Sequence, residues 1–141
     1  MSQWMPSALA VVCLMAVAPF AARAADQGDS VLVPTGAAIF DQYCASCHGT
    51  SGDGNGPVAS SLTKPPADLT RIAARRGGDF PDAEIARIID GRFDLPAHGS
   101  REMPVWGRRF GVAIAKGTEP DEVARGRILT LIEYLKTIQT K

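Results

Sequence analysis

The chain has 141 residues, with 15 basic and 15 acidic side chains, so its formal net charge is zero. This length suits a single domain. The balanced charge excludes a nucleic-acid binding mode that depends on a broad positive field.

The first 24 residues form a separate piece. An apolar run over residues 8–18 leads to Pro19 and then to Ala22-Arg23-Ala24, which has the small-x-small form of a signal-peptidase site. The run is shorter than the about 20 apolar residues that span a bilayer. We therefore predict a signal peptide over residues 1–24, export to the periplasm, and a mature domain over residues 25–141. An uncleaved N-terminal anchor is the alternative.

The rest of the chain is predicted to form helices separated by loops rich in Gly and Pro. A first helix is predicted over 35–43, and a second helical stretch, opened by Asp68, over 69–76. A third stretch is opened by Pro81 and Asp82 and ends before Gly91. A short turn over 106–110 and a long last helix follow. Thr118 and Asp121 resemble a capping box for that last helix. Only residues 30–33 favour a strand, so the predicted class is all-α, with about four to five helices and long loops.

One short string carries the predicted chemistry: Cys44-Ala45-Ser46-Cys47-His48. Two thiols at this spacing can each add to one vinyl group of a haem, and the histidine that follows then faces the iron. The string predicts one covalent c-type haem, with Cys44 and Cys47 as attachment points and His48 as an iron ligand. A large flat cofactor would also fill the interior of a small domain with so much irregular backbone.

The two cysteines have three alternative uses. A disulfide between Cys44 and Cys47 would close too small a loop to stabilise much. A thiol–disulfide oxidoreductase needs a strand–helix–strand context that this sequence lacks. A zinc site would need four ligands, and the adjacency of Cys47 and His48 makes joint tetrahedral ligation awkward. Haem attachment is the favoured interpretation.

The sixth iron ligand is predicted to be Met103, which is the sole methionine after the predicted cleavage site. Met103 follows two charged residues instead of lying on a periodic apolar face, and Pro104 favours an extended backbone before it. Such a loop can carry a thioether to iron. His98 is the rival ligand, and an open iron is the third possibility.

Taken together, these motifs resemble those of the mono-haem class I bacterial cytochromes c. The resemblance covers most of residues 35–139. It rests on Gly36-x-x-x-Phe40-x-x-x-Cys44-Ala45-Ser46-Cys47-His48-Gly49, the Gly-rich loop to Pro57, Pro65-Pro66-Ala67-Asp68-Leu69, Met103-Pro104-Val105-Trp106-Gly107 and Ile132-Glu133-Tyr134-Leu135.

The resemblance implies several contacts. Gly36 and Phe40 of the first helix are expected to meet Tyr134 where the first and last helices cross. The Pro57 carbonyl is expected to accept a hydrogen bond from the ring N–H of His48. Candidate partners of the haem propionates are Arg71, Arg75, Arg101 and the Trp106 indole.

The predicted function is electron transfer, because a six-coordinate haem has no free position for a substrate. The expected partners are redox proteins, a dehydrogenase donor and an oxidase or reductase acceptor. No small-molecule substrate or nucleic acid is expected, and membrane contact is expected only through partners. A dedicated haem subunit of a periplasmic dehydrogenase or oxidase is the alternative, and an enzyme or sensor with open iron is a third. Residues 64–116 hold ten bases against seven acids, which favours an acidic partner.

Overall fold

A computed structural model describes residues 22–92, 103–112 and 117–140, with side chains from residue 31 onward. It contains five α-helices: α1 (Ala22–Tyr43), α2 (Ala45–His48), α3 (Asp82–Asp90), α4 (Trp106–Phe110) and α5 (Pro120–Thr137). Three 3-10 turns lie between α2 and α3, at Ala59–Ser61, Leu69–Arg71 and Ala74–Arg76. The described ranges contain no strand, so the all-α prediction is confirmed.

The first and last helices cross at close quarters, as the resemblance implied. A Cβ atom added to Gly36 would collide with the Thr130 carbonyl oxygen and would lie 2.7 Å from the Tyr134 Cβ. One turn further along α1, the rings of Phe40 and Tyr134 have their centroids 5.2 Å apart. The missing side chain of Gly36 therefore lets the two backbones approach.

The core is built around α5, which buries residues at helical spacing against the other helices. The buried apolar residues of α5 are Ala124, Ile128, Leu131, Ile132 and Leu135. Ile85 and Ile89 of α3 and Phe40 of α1 join the same core. This core fixes the positions of the shorter helices that carry the candidate site.

Two predicted helix starts are wrong. The helix predicted to begin at Thr35 extends back to Ala22, and the Thr35 hydroxyl donates to the Val31 carbonyl oxygen (2.8 Å) instead of capping the helix. The β-favourable run 30–33 lies inside this helix, because a lone strand has no pairing partner in an all-α domain. The last helix has Glu119 as its N-cap and Pro120 in its first turn, a position that suits the fixed φ of proline, so Thr118 is not its cap.

The stretch predicted to be helical over 69–76 forms two 3-10 turns. Asp68 opens the first turn as predicted, since its carboxylate accepts from the Thr70 amide (2.9 Å). Gly77, with a φ of 75°, follows the second turn in the left-handed conformation. The prediction for α3 is confirmed, with Gly91 left-handed at its end.

Some predictions fall on residues that the structure does not describe. These are residues 1–21 of the predicted signal peptide, together with His98 and Arg101. None of the described helices is long and apolar enough to cross a membrane.

Candidate haem site

The cysteine-histidine string lies where α1 passes into α2. The Cys44 amide donates to the Phe40 carbonyl (2.8 Å), and the His48 amide donates to the Cys44 carbonyl (2.9 Å). Residues three and four positions apart share one face of a helical turn. Cys44, Cys47 and His48 are therefore presented together, as the prediction requires.

Both cysteines are free thiols. Cys44 is buried and Cys47 is half-buried. Burial, and to a smaller extent the neighbouring Cys47, raises the pKa of the Cys44 thiol to about 12. Cys44 is therefore protonated at neutral pH in this state.

These properties disagree with the alternative uses of the two cysteines. The thiols are not joined in a disulfide. Catalytic cysteines of thiol–disulfide oxidoreductases have lowered pKa values, the opposite of what is found for Cys44. Within the described residues, no group of three or more His, Cys, Asp or Glu side chains is placed to hold a metal ion.

The His48 ring is oriented by a backbone carbonyl. Its Nδ1 lies 2.9 Å from the Ala67 carbonyl oxygen. Because a carbonyl only accepts, Nδ1 carries the proton in this bond, and a neutral ring then keeps its Nε2 lone pair for a metal. The resemblance assigned this hydrogen bond to the Pro57 carbonyl, but in the structure the Ala67 carbonyl lies against the ring nitrogen.

The carbonyl that contacts His48 belongs to Ala67, and not to Pro57, for a local reason. Segment 66–69 lies against the Gly-rich loop, where the Leu69 amide donates to the Gly52 carbonyl (2.7 Å). A Cβ atom on Gly54 would lie 2.7 Å from the Pro66 carbonyl oxygen. Two prolines and the Asp68 cap, which are visible in the sequence, mark this segment as ordered, but nothing in the sequence shows which carbonyl faces His48.

The Gly-rich loop folds back onto α2 through its backbone. The Gly54 amide donates to the His48 carbonyl (2.8 Å), and the Gly56 amide donates to the Cys47 carbonyl (3.1 Å). A Cβ atom on Gly56 would lie 2.5 Å from the Cys47 carbonyl carbon. The loop therefore needs glycine at this position for its close approach to the haem-binding string.

Met103 lies at the start of the second described segment and packs, half-buried, against the hydrophobic core. Helix α4 follows it and contributes Trp106 and Phe110 to a cluster with Tyr43, the residue before Cys44. Ring centroids are 5.6 Å apart for Tyr43 and Trp106, 5.4 Å for Tyr43 and Phe110, and 5.3 Å for Trp106 and Phe110. This aromatic cluster joins the segment that carries Met103 to the end of α1.

Helix α4 is also held by charged groups. Arg92 donates from Nε to Asp90 Oδ1 (2.7 Å) and from Nη2 to Asp90 Oδ2 (2.8 Å), and its Nη1 pairs with Asp121 at the start of α5. A Cβ atom on Gly107 would lie 2.6 Å from Arg92 Nε. The ion pairs thus pack directly against the α4 backbone.

The candidate propionate partners differ in their surroundings. Arg71 and Arg75 are both exposed, and the Arg75 guanidinium donates to the Asp68 carbonyl (2.7 Å). Trp106 is only 7% exposed. Arg101 lies outside the described residues.

The residues present fit a covalent haem by the chemistry of their donors. Two unpaired thiols precede a histidine whose Nδ1 is already bonded, and a half-buried methionine packs on the same core. The set contains two thiols, one imidazole and one thioether, which are donor types by which proteins hold a c-type haem.

Comparison with known proteins agrees with a covalent c-type haem. The sequence model of the family described as "Cytochrome C oxidase, cbb3-type, subunit III" matches residues 32–113, which is more than half of the 141 residues. The matched range includes Cys44, Cys47, His48 and Met103. No curated protein and no solved structure matched the chain.

Proposed function

Because the chain belongs to the c-type cytochrome family described as "Cytochrome C oxidase, cbb3-type, subunit III", we propose that it passes single electrons through one haem ligated by His48 and Met103. Members of this family bind a covalent c-type haem, and their domain is an electron carrier. The axial ligands, the partners and the cellular location are our proposal.

One observation carries the assignment of ligands. The His48 Nδ1 is bonded to the Ala67 carbonyl (2.9 Å), beside two free thiols on the same helical turn. A ring held in this way offers Nε2 to iron with a fixed tautomer. The aromatic cluster of Tyr43, Trp106 and Phe110 supports Met103, because it ties the methionine segment to the turn before Cys44.

The bound haem supplies a one-electron couple between ferrous and ferric iron. With haem bound, Cys44 and Cys47 would hold the ring by thioether bonds, and the His48 imidazole, whose Nδ1 is bonded to the Ala67 carbonyl, would offer Nε2 to the iron. Met103 would supply the second ligand, so that no substrate could reach the iron. Cys44 and Ala45 belong to the hydrophobic core, so the first attachment point would lie within the packed part of the domain.

Covalent attachment is tested by expressing the full chain with a haem-attachment system. Wild-type protein should keep its haem on a denaturing gel, and each of Cys44→Ala and Cys47→Ala should lose one thioether bond, visible as a shift of the reduced spectrum. Cys13→Ala, which changes a cysteine of the predicted signal peptide, is the matched control and should keep both bonds. Haem lost from the wild type on the gel would contradict the proposal.

We place the protein in the periplasm, exported by residues 1–24 and exchanging electrons with a dehydrogenase donor and an oxidase or reductase acceptor. The apolar run and the Ala22-Arg23-Ala24 ending support export. Sequencing the N-terminus of the haem protein should give Ala25 as the first residue. A protein that starts at Met1 would favour an uncleaved anchor.

A second candidate is a dedicated haem subunit of an oxidase or dehydrogenase complex. The description of the matching family, which names an oxidase subunit, favours it. Native size after gentle extraction separates the two candidates. A carrier elutes at the size of one chain, whereas a subunit elutes with a larger partner that carries its own cofactors.

A further inference from the structure

The side chain of Gln139, just after the end of α5, uses every hydrogen-bonding group of its amide on the backbone. Oε1 accepts from the Ala73 amide (2.9 Å), and Nε2 donates to the carbonyls of Leu69 (2.9 Å) and Leu135 (2.7 Å). Glutamine offers one acceptor atom and two donor hydrogens, so both donors and the oxygen are engaged. The side chain joins α5 to a segment 66 to 70 residues earlier in the chain.

The segment that Gln139 holds cannot stabilise itself well. Residues 69–71 and 74–76 form only two single 3-10 turns, which leave most of their terminal N–H and C=O groups without partners inside the turn. The partners come from elsewhere. Gln139 supplies two of them, and the Thr140 amide donates to the Thr70 carbonyl (2.8 Å). The last residues of α5 and those just after it therefore determine where this segment lies.

The same segment begins with the carbonyl that orients His48. Ala67 lies two residues before Leu69, whose carbonyl accepts from Gln139 and whose amide donates to Gly52 of the Gly-rich loop (2.7 Å). The chain between Ala67 and Leu69 is further fixed by the Asp68 cap on Thr70. A displacement of Leu69 would therefore also displace the Ala67 carbonyl oxygen, which is only two residues away.

We propose that Gln139 is a positioning residue for the iron ligand His48, acting through segment 67–73 and the Ala67 carbonyl. This inference rests on the proposed function, because it takes His48 as an iron ligand. A hydrogen bond from Nδ1–H makes the imidazole a stronger donor to iron, which favours the ferric form. A loosened Ala67 carbonyl therefore shifts the couple toward ferrous haem.

The test compares the wild-type holoprotein with Gln139→Ala and Gln139→Glu. Gln139→Ala removes all three bonds, whereas Gln139→Glu keeps the acceptor for Ala73 and loses both donor hydrogens. Thr137→Ala is the matched control, since its hydroxyl also donates to a backbone carbonyl at the end of α5 but only to Tyr134 (2.7 Å). Two quantities are measured: the ferrous-to-ferric ratio at one fixed ambient potential, and the protected Nδ1–H proton signal of His48 in the ferrous state.

We expect Gln139→Ala to raise the ratio about threefold to tenfold, which corresponds to about 30–60 mV for one electron. The protected Nδ1–H signal should be lost. Gln139→Glu should give an intermediate effect, and Thr137→Ala should match the wild type. If Gln139→Ala lowers only the thermal midpoint and leaves ratio and proton signal unchanged, the residue is merely structural and the proposal is overturned.

Failure of the proposed function gives a different result. In that case the wild type itself lacks a covalent haem, or His48→Ala leaves its spectrum unchanged. If Gln139→Ala takes up no haem, Gln139→Glu provides the test instead. A ferrous-to-ferric ratio in Gln139→Glu equal to that of the wild type would contradict the proposal.

Discussion

The two sides of the candidate site are stabilised by different kinds of interaction. On the His48 side, backbone hydrogen bonds connect the attachment turn, the Gly-rich loop and segment 66–69, with Gly54 and Gly56 amides bonded to the carbonyls of His48 and Cys47. On the Met103 side, the contacts are between side chains. Trp106 and Phe110 pack on Tyr43, and Arg92 pairs with two carboxylates.

This difference predicts how each side responds to change. Backbone hydrogen bonds in a loop without spare room are disrupted by the addition of a single carbon atom. Side-chain packing responds to the loss of volume, and conservative replacements are tolerated.

The largest effect is expected for Phe110→Ala on the Met103 side. Phe110 is 1% exposed and contacts both Tyr43 and Trp106. Its truncation should lower the free energy of unfolding by about 4 kcal/mol, measured by urea denaturation of the holoprotein. Phe110→Leu, the matched control, should cost less than about 1.5 kcal/mol. Equal losses in both variants would show that packing volume does not hold this side.

The next effect is expected for Gly56→Ala on the His48 side. The new Cβ would lie 2.5 Å from the Cys47 carbonyl carbon, and its neighbours are backbone atoms that cannot turn away. We expect a loss of about 3 kcal/mol in the free energy of unfolding. Gly126→Ala is the matched control: no atom lies within 4 Å of its added Cβ, and alanine in α5 should stabilise by about 0.5–1 kcal/mol. Destabilisation in both variants would contradict the steric account.

A smaller effect is expected for Arg92→Met. Asp90 is only 9% exposed, and removal of Arg92 takes away its bidentate partner. Because Arg92 itself is partly exposed, we expect about 2 kcal/mol, below the usual cost of breaking a buried pair. The matched control is Arg125→Met, which changes an exposed arginine that lines a groove of about 460 Å³ together with Arg92 and Asp121. It should change stability by less than about 0.5 kcal/mol. A stability of Arg92→Met equal to that of the control would show that the ion pairs do not support α4.

The smallest effect concerns pH and Asp53 in the Gly-rich loop. Hydrogen bonds from the Asn55 side chain (3.0 Å) and the Asn55 amide (3.1 Å) lower the pKa of the Asp53 carboxyl from 3.8. The carboxylate therefore stabilises the fold above its ordinary pKa, and that contribution is lost as the pH falls through the lowered pKa. Between pH 5 and pH 3, the thermal midpoint of Asp53→Asn should fall less than that of the wild type. If the thermal midpoints of both proteins fall equally, the Asp53 carboxylate does not contribute to the loss of stability in acid.

The sequence was sufficient to predict those structural elements that are determined by a local residue pattern. Helix α3 was predicted from its apolar spacing and its terminal glycine, and the attachment turn from its own five residues. Where α4 lies, the prediction was only a short turn over 106–110. The crossing of α1 and α5 came from the resemblance, since a glycine opposite an aromatic gives no distance by itself.

Two of the differences from the sequence prediction involve long-range contacts, and a third concerns a local helix end. The Ala67 carbonyl, instead of that of Pro57, orients His48 because segment 66–69 lies on the Gly-rich loop, and backbone groups leave no mark in the side-chain sequence. The sequence predicted no role for Gln139, which only marked the end of the range covered by the resemblance. Its side-chain amide nevertheless bonds to the backbone of Ala73 and Leu69. Thr118 was predicted to cap the last helix, but the cap is Glu119, one residue later, and Pro120 follows it in the first turn.

The central claim, one haem between His48 and Met103, is tested most directly by absorption spectra of the oxidised and reduced holoprotein. The wild type should show the weak far-red sulfur-to-iron band when oxidised, Met103→Ala should lose it, and His98→Ala should keep it. A wild type that lacks this band and binds carbon monoxide readily when reduced would contradict the claim. Such an iron is open, and sensing or catalysis would then replace simple electron transfer as the function of the site.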